Sequence, residues 1–184
     1  MVWIQREHAA GLAVLSAWLG ALLPWNVTYS TNGGPWVVFV RFPLFEFQYT
    51  SGFGPGVDGG ALRTVLGAIA LQSGQGLETA TVVWGGGGAV MLAALGLSVV
   101  YYADRSLLEA ASVHPVRLMG GLLGVAALLF AVATVFVWTG GFGGTPIPIG
   151  VLLLGLLAWV LLRVELTDRP NDTTASEKDA VDQS

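Results

Sequence analysis

The sequence predicts an all-α membrane protein: a four-transmembrane-helix bundle with a small extracytoplasmic β-hairpin and a short interfacial helix between helices 1 and 2. Three observations carry that prediction. Four long apolar stretches, about 9–25, 79–102, 118–140 and 146–162, contain no Asp, Glu, Lys or Arg. Hydrophobic residues make up 54% of the 184-residue chain and charged residues only 11%, where soluble domains carry about 25% charged residues. One strongly patterned segment, Trp36–Thr50, interrupts the helical pattern with strand-like alternation.

The first stretch, Ala9–Trp25, lies at the short end of the about 17–25 residues that span a bilayer, and flanking Arg6 lengthens it by snorkelling. A cleaved signal peptide is the alternative. Leu22-Leu23-Pro24-Trp25-Asn26 lacks a small-x-small cleavage site, which favours a retained helix.

The outer loop, 26–78, follows. Trp36-Val37-Val38-Phe39-Val40-Arg41-Phe42 is β-branched and aromatic, and Phe45-Glu46-Phe47-Gln48-Tyr49-Thr50 alternates apolar and polar residues. With Pro43 between them, two short strands forming a hairpin are expected. The glycines from Gly52 to Gly60 mark a turn region. Leu62, Val65, Leu66 and Ile69 then recur at helical spacing, which predicts a helix over 61–72, too short to span and therefore interfacial or partly re-entrant.

Thr79–Tyr102 and Leu118–Gly140 span comfortably, and Pro146–Leu162 sits at the short end. The turn Gly141–Thr145 is short, so the last two helices are antiparallel neighbours. These spans and the outer loop place residues 1–168 in one transmembrane domain. Residues 169–184 form an acidic tail, rich in Asp and Thr and expected to be disordered and cytoplasmic.

Loop charge sets the orientation. With the N-terminus inside, Arg6, Arg105, Arg117, Arg163, Arg169 and Lys178 are cytoplasmic, and only Arg41 and Arg63 are outside. A multi-pass protein of the cell membrane with both termini cytoplasmic follows. Trp25, Trp84 and Trp138 fall at the outer helix ends, the depth that aromatic belts favour.

Candidate functional residues fall into two groups. Gly85, Gly86, Gly87 and Gly88 in the second span, and Gly120 and Gly124 in the third, are helix-packing candidates, because small residues let helix backbones approach closely in lipid. They serve either intramolecular packing of the second span on the third or an oligomer seam. Trp36, Phe39, Arg41, Phe45, Glu46, Phe47 and Tyr49 form the candidate outer interaction surface, with Arg41 and Glu46 pairing across the hairpin. Asn26-Val27-Thr28 matches a glycosylation acceptor. His8 and His114 are the two histidines. They are interfacial residues or, on a haem reading, ligands from facing helices.

No catalytic signature occurs, and no cofactor-binding or metal-ligating set stands out; no cysteine is present. A net charge of −4 without a basic patch disfavours nucleic acid. Expected partners are the lipid bilayer and, through the outer loop, another membrane protein or a second copy. The reading is a non-enzymatic accessory or structural membrane component, with a small permease or channel subunit as the alternative.

The first span ends Leu23-Pro24-Trp25-Asn26, and Val40-Arg41-Phe42-Pro43-Leu44-Phe45, three further spans and an acidic tail follow. In this order of features the chain resembles small uncharacterised four-helix membrane proteins of haloarchaea, of the domain-of-unknown-function type. Lys178 as the single lysine fits the same style. The resemblance implies no catalytic residues.

Overall fold

The computed structural model describes residues 2–31, 33–103, 115–141 and 143–167. In chain order it runs β1 (Val2–Gln5), α1 (Arg6–Leu22), β2 (Asn26–Thr31), β3 (Trp36–Arg41), β4 (Phe45–Ser51), β5 (Gly59–Thr64), α2 (Val65–Gln72), α3 (Glu78–Ala103), α4 (Pro115–Thr139), β6 (Gly144–Ile147), α5 (Ile149–Arg163) and β7 (Val164–Thr167). His114 and the tail beyond Thr167 lie outside the described residues. The haem reading and the disordered tail therefore lie there too.

The all-α expectation is corrected. The fold is mixed α/β: a five-stranded antiparallel sheet, ordered β5-β4-β3-β2-β6, caps one end of a helix layer. Among the described residues, two helices, α3 and α4, are long and apolar enough to cross a membrane, whereas α1 and α5 are shorter, at 17 and 15 residues. The expected hairpin exists as β3 and β4, with Arg41 opposite Glu46. Three more strands join it.

Each added strand has a physical reason to escape a reading of the sequence. In β2 the alternation is present, but Asn26, Thr28 and Ser30 make it look like a polar loop. β5 begins Gly59-Gly60 and carries Leu62, which coincides with the helical stripe of the following segment. The helix expected over 61–72 therefore starts only at Val65, where the Thr64 hydroxyl accepts the Gly67 N–H at 3.2 Å and caps it. β6 contains Pro146 and pairs only with β2; an edge strand tolerates a residue without an N–H.

Turns follow the local chemistry. Gly33 and Gly34 adopt φ of 69° and 149° in the β2–β3 connection, a region that side chains rarely enter. The Asp58 carboxylate accepts N–H groups from Gly52, Phe53 and Gly54 and so closes the β4–β5 loop.

In the helix layer α3 packs on α4, α4 on α5, and α1 against all three. Its interior is built from small residues around a few large ones: Ala13, Ala17, Ala94, Ala126, Ala133 and Ala158 with Met91, Met119, Leu123 and Phe130. β1 pairs in parallel with β7, joining the N-terminal end of α1 to the C-terminal end of α5.

Candidate binding site between the sheet and the helices

Alternation along the strands sorts their side chains onto two faces. Register then aligns one residue from each of four strands: Asn26 opposite Arg41, Arg41 opposite Glu46, and Glu46 opposite Arg63. This row faces the helices. Asn26 is fully buried, and Arg41 and Glu46 are nearly so. The other face carries Tyr29, Trp36, Phe47, Tyr49 and Leu62, with Trp36 5.5 Å from Tyr49 and 6.4 Å from Tyr29, ring to ring. The sheet thus turns its charges inward and, apart from Phe39, most of its aromatic residues outward, the reverse of a sheet that covers a hydrophobic core.

The seven residues of the expected outer surface divide between these faces. Trp36, Phe47 and Tyr49 point outward. Phe39, Arg41 and Glu46 face inward and line a cavity. Phe45 stacks on Phe42 at the hairpin turn, with 4.5 Å between ring centres.

Glu46 is shared by two guanidinium groups. Its Oε2 lies 3.3 Å from Arg41 Nε and its Oε1 3.4 Å from Arg63 Nη1. Arg41 Nη1 also donates to Thr28 Oγ1 at 2.8 Å and to Asn26 Oδ1 at 3.3 Å, and its guanidinium lies over the Phe39 ring at 4.8 Å. The Thr28 hydroxyl in turn donates to Asn26 Oδ1. Arg63 Nη1 donates to Gln48 as well. Burial pushes the Arg41 pKa below its ordinary value, opposed by the charge and hydrogen bonding of Glu46. Asn26 is fully buried, with its Oδ1 engaged in this network.

The network borders a cavity of about 250 Å3. The sheet supplies its polar wall. Ala68, Leu71 and Gln72 of α2, Leu77 just before α3, Ala80, Thr81 and Trp84 in its first turns, and Val137 of α4 supply the rest. Trp25 closes one side, stacked on Phe130 with 5.3 Å between ring centres and tilted against Trp84 at 6.0 Å. The Trp84 indole N–H is shared between the carbonyls of Phe42 and Pro43, at 3.0 and 3.1 Å, and ties the hairpin turn to α3. The Trp25 indole N–H and the Asn26 amide nitrogen are buried without a hydrogen-bond partner among the described residues.

Trp25 and Trp84 are therefore interior residues, not parts of an interfacial belt; Trp138 is 73% exposed. The sequence signals for this site were faint. Arg63 was visible as one of only two outer arginines, and Asn26 and Thr28 belong to an alternation hidden by polarity.

The glycine run is divided among several neighbours. A Cβ on Gly85 would meet Ile69 of α2 at 2.8 Å, one on Gly87 would enter the Phe130 ring, and one on Gly88 would lie 2.7 Å from the Pro43 carbonyl oxygen. Gly86 has nothing closer than 4.0 Å. Gly120 and Gly124 face α5, meeting Leu161, Leu162 and Ala158. They seat α4 on α5 instead of α3 on α4.

Fold and site together define a mixed α/β protein in which an inward-charged antiparallel sheet closes over an apolar helix layer. The chain belongs to the family of unknown function DUF7549, whose sequence profile matches residues 2–166. That membership agrees with the resemblance to proteins of the domain-of-unknown-function type. A search of curated proteins finds no match.

Proposed function

We propose that this protein is an integral membrane protein with a non-enzymatic, accessory role, its helix layer in the bilayer and its sheet at the extracytoplasmic surface. One observation carries the reading: the helix layer has small residues inside and large apolar residues outside. Leu15, Trp18 and Leu22 of α1, Leu92 and Val99 of α3, Leu128 and Val135 of α4, and Leu152, Leu156 and Trp159 of α5 are all exposed. Monomeric soluble proteins rarely expose contiguous apolar patches beyond about 300–600 Å2. Lipid makes this surface favourable, and small residues inside let the helices pack closely without a hydrophobic drive between them.

The aromatic outer face of the sheet is the interaction surface in this reading, and another membrane protein is its partner. The distribution of bases supports a sheet outside and termini inside: Arg41 and Arg63 lie on the sheet side, whereas Arg6, Arg117 and Arg163 sit at the opposite helix ends. The acidic tail and scarcity of lysine support a haloarchaeal source. The permease alternative gains nothing from Thr81, Ser98 and Thr134, three buried hydroxyls of the helix layer that bond to carbonyls of their own helix.

Fractionation tests the membrane reading. The protein should stay in the membrane pellet through an alkaline carbonate wash and need detergent for release. Recovery in the wash supernatant would overturn it.

A further inference from the structure

We infer that the cavity between the sheet and α2–α3 is a binding site for a small organic monoanion, a carboxylate with a short apolar body. The inference does not depend on whether the helix layer lies in lipid.

Charge comes first. Two guanidinium groups converge on one carboxylate, so Arg41, Arg63 and Glu46 sum to one net positive charge at the wall of a partly open cavity, with Arg41 buried and Arg63 29% exposed. Buried charges need partners. Arg41 is 5% exposed and has lost most of its access to water. That burial lowers its pKa, and Glu46 opposes the shift.

Donor stock points the same way. All polar contacts of Arg41 with the described residues run through Nε and Nη1, and those of Arg63 run through Nη1. A guanidinium has five N–H donors and no acceptor. Both arginines therefore keep Nη2 for another group. Trp25, which lines the same cavity and is 1% exposed, holds an indole N–H without a partner. Spare donors without matching acceptors call for an acceptor-only ligand group. An ionised carboxylate is one, and its two oxygens suit guanidinium forks.

The wall opposite the arginines sets the rest of the ligand. Leu71, Leu77, Val137 and the Trp84 ring offer it no charge. A fully hydrated inorganic anion would leave that wall wet. A carboxylate with an apolar body satisfies both sides, and about 250 Å3 holds one of modest size.

Calorimetric titration of the purified full-length protein with benzoate tests the site, with benzamide as the neutral isostere. Benzoate should bind saturably, and benzamide at least about tenfold more weakly, since it lacks the charge that the guanidiniums recognise. Arg63→Gln should lose about tenfold in benzoate affinity while Arg163→Gln, far from the cavity, binds as the native protein does. Arg63 is partly exposed, and unchanged circular dichroism of its variant will show that the fold survives. Equal binding of benzoate and benzamide, or no saturable benzoate binding up to roughly 10 mM, would overturn the proposal. Displacement of benzoate by an equal concentration of chloride would overturn its organic part and leave an inorganic-anion site.

Discussion

Gly88 of α3 lies directly under Pro43 of the β3–β4 turn: a methyl group at position 88 would sit 2.7 Å from the Pro43 carbonyl oxygen. Trp84, one helical turn earlier, donates to that same carbonyl. A bare backbone patch and one indole thus dock the hairpin onto the helix layer, and the site beneath the sheet depends on that docking.

Gly88→Ala should destabilise the protein by about 1–3 kcal/mol, because the clash is with backbone that cannot rotate away. Gly86→Ala, in the same run but with open space around it, should be neutral or stabilising by up to about 1 kcal/mol through helix propensity. Unfolding followed by circular dichroism in detergent compares the two. Equal effects would mean that the hairpin does not rest on Gly88.

Trp84→Phe retains most of the ring and removes the donor. The carbonyls of Phe42 and Pro43 then lose their shared partner, and a cost of about 1–3 kcal/mol is expected. Proteolysis at the hairpin turn should accelerate before the helices unfold. A turn as resistant as in the native protein would show that other contacts hold it.

Glu46→Gln strands two guanidinium groups at once. Breaking a buried pair costs about 3–5 kcal/mol, and here the buried partner is Arg41. Arg41→Met combined with Glu46→Leu removes both members and should cost less than Glu46→Gln alone. Thermal unfolding of the three proteins checks the order, which a purely surface ion pair would not produce.

The chain has no cysteine, so single engineered cysteines report topology cleanly. Val57→Cys, in the exposed β4–β5 loop, should react with a membrane-impermeant maleimide in intact cells. Tyr102→Cys, 88% exposed at the opposite end of α3, should react only after permeabilisation. The reverse pattern would invert the proposed orientation.

Apolar run length and period placed the helices only approximately: Pro146 and Ile147 of the fourth run belong to β6, and residues 61–64 of the short helical stripe belong to β5. The same signals determined the hairpin, because Phe45–Thr50 alternates strictly and Trp36–Val40 is β-branched and aromatic. The arginine and glutamate facing each other across it were legible for the same reason. Tertiary structure decided the rest. β6 reaches β2 across more than a hundred residues, as the Ser30 bond to Gly143 shows, and no local pattern in Gly144-Thr145-Pro146-Ile147 announces a strand. Pairing is what makes it one, since an edge strand needs only a neighbour with free backbone groups. Strand pairing turned the fold from an all-α bundle into a capped α/β layer, and the register of the consecutive strands β2 to β5 aligned Asn26, Arg41, Glu46 and Arg63 in one row. It also decided which face of the sheet is buried. Alternation in a sequence separates two faces but does not say which of them meets the protein, and here the polar face does.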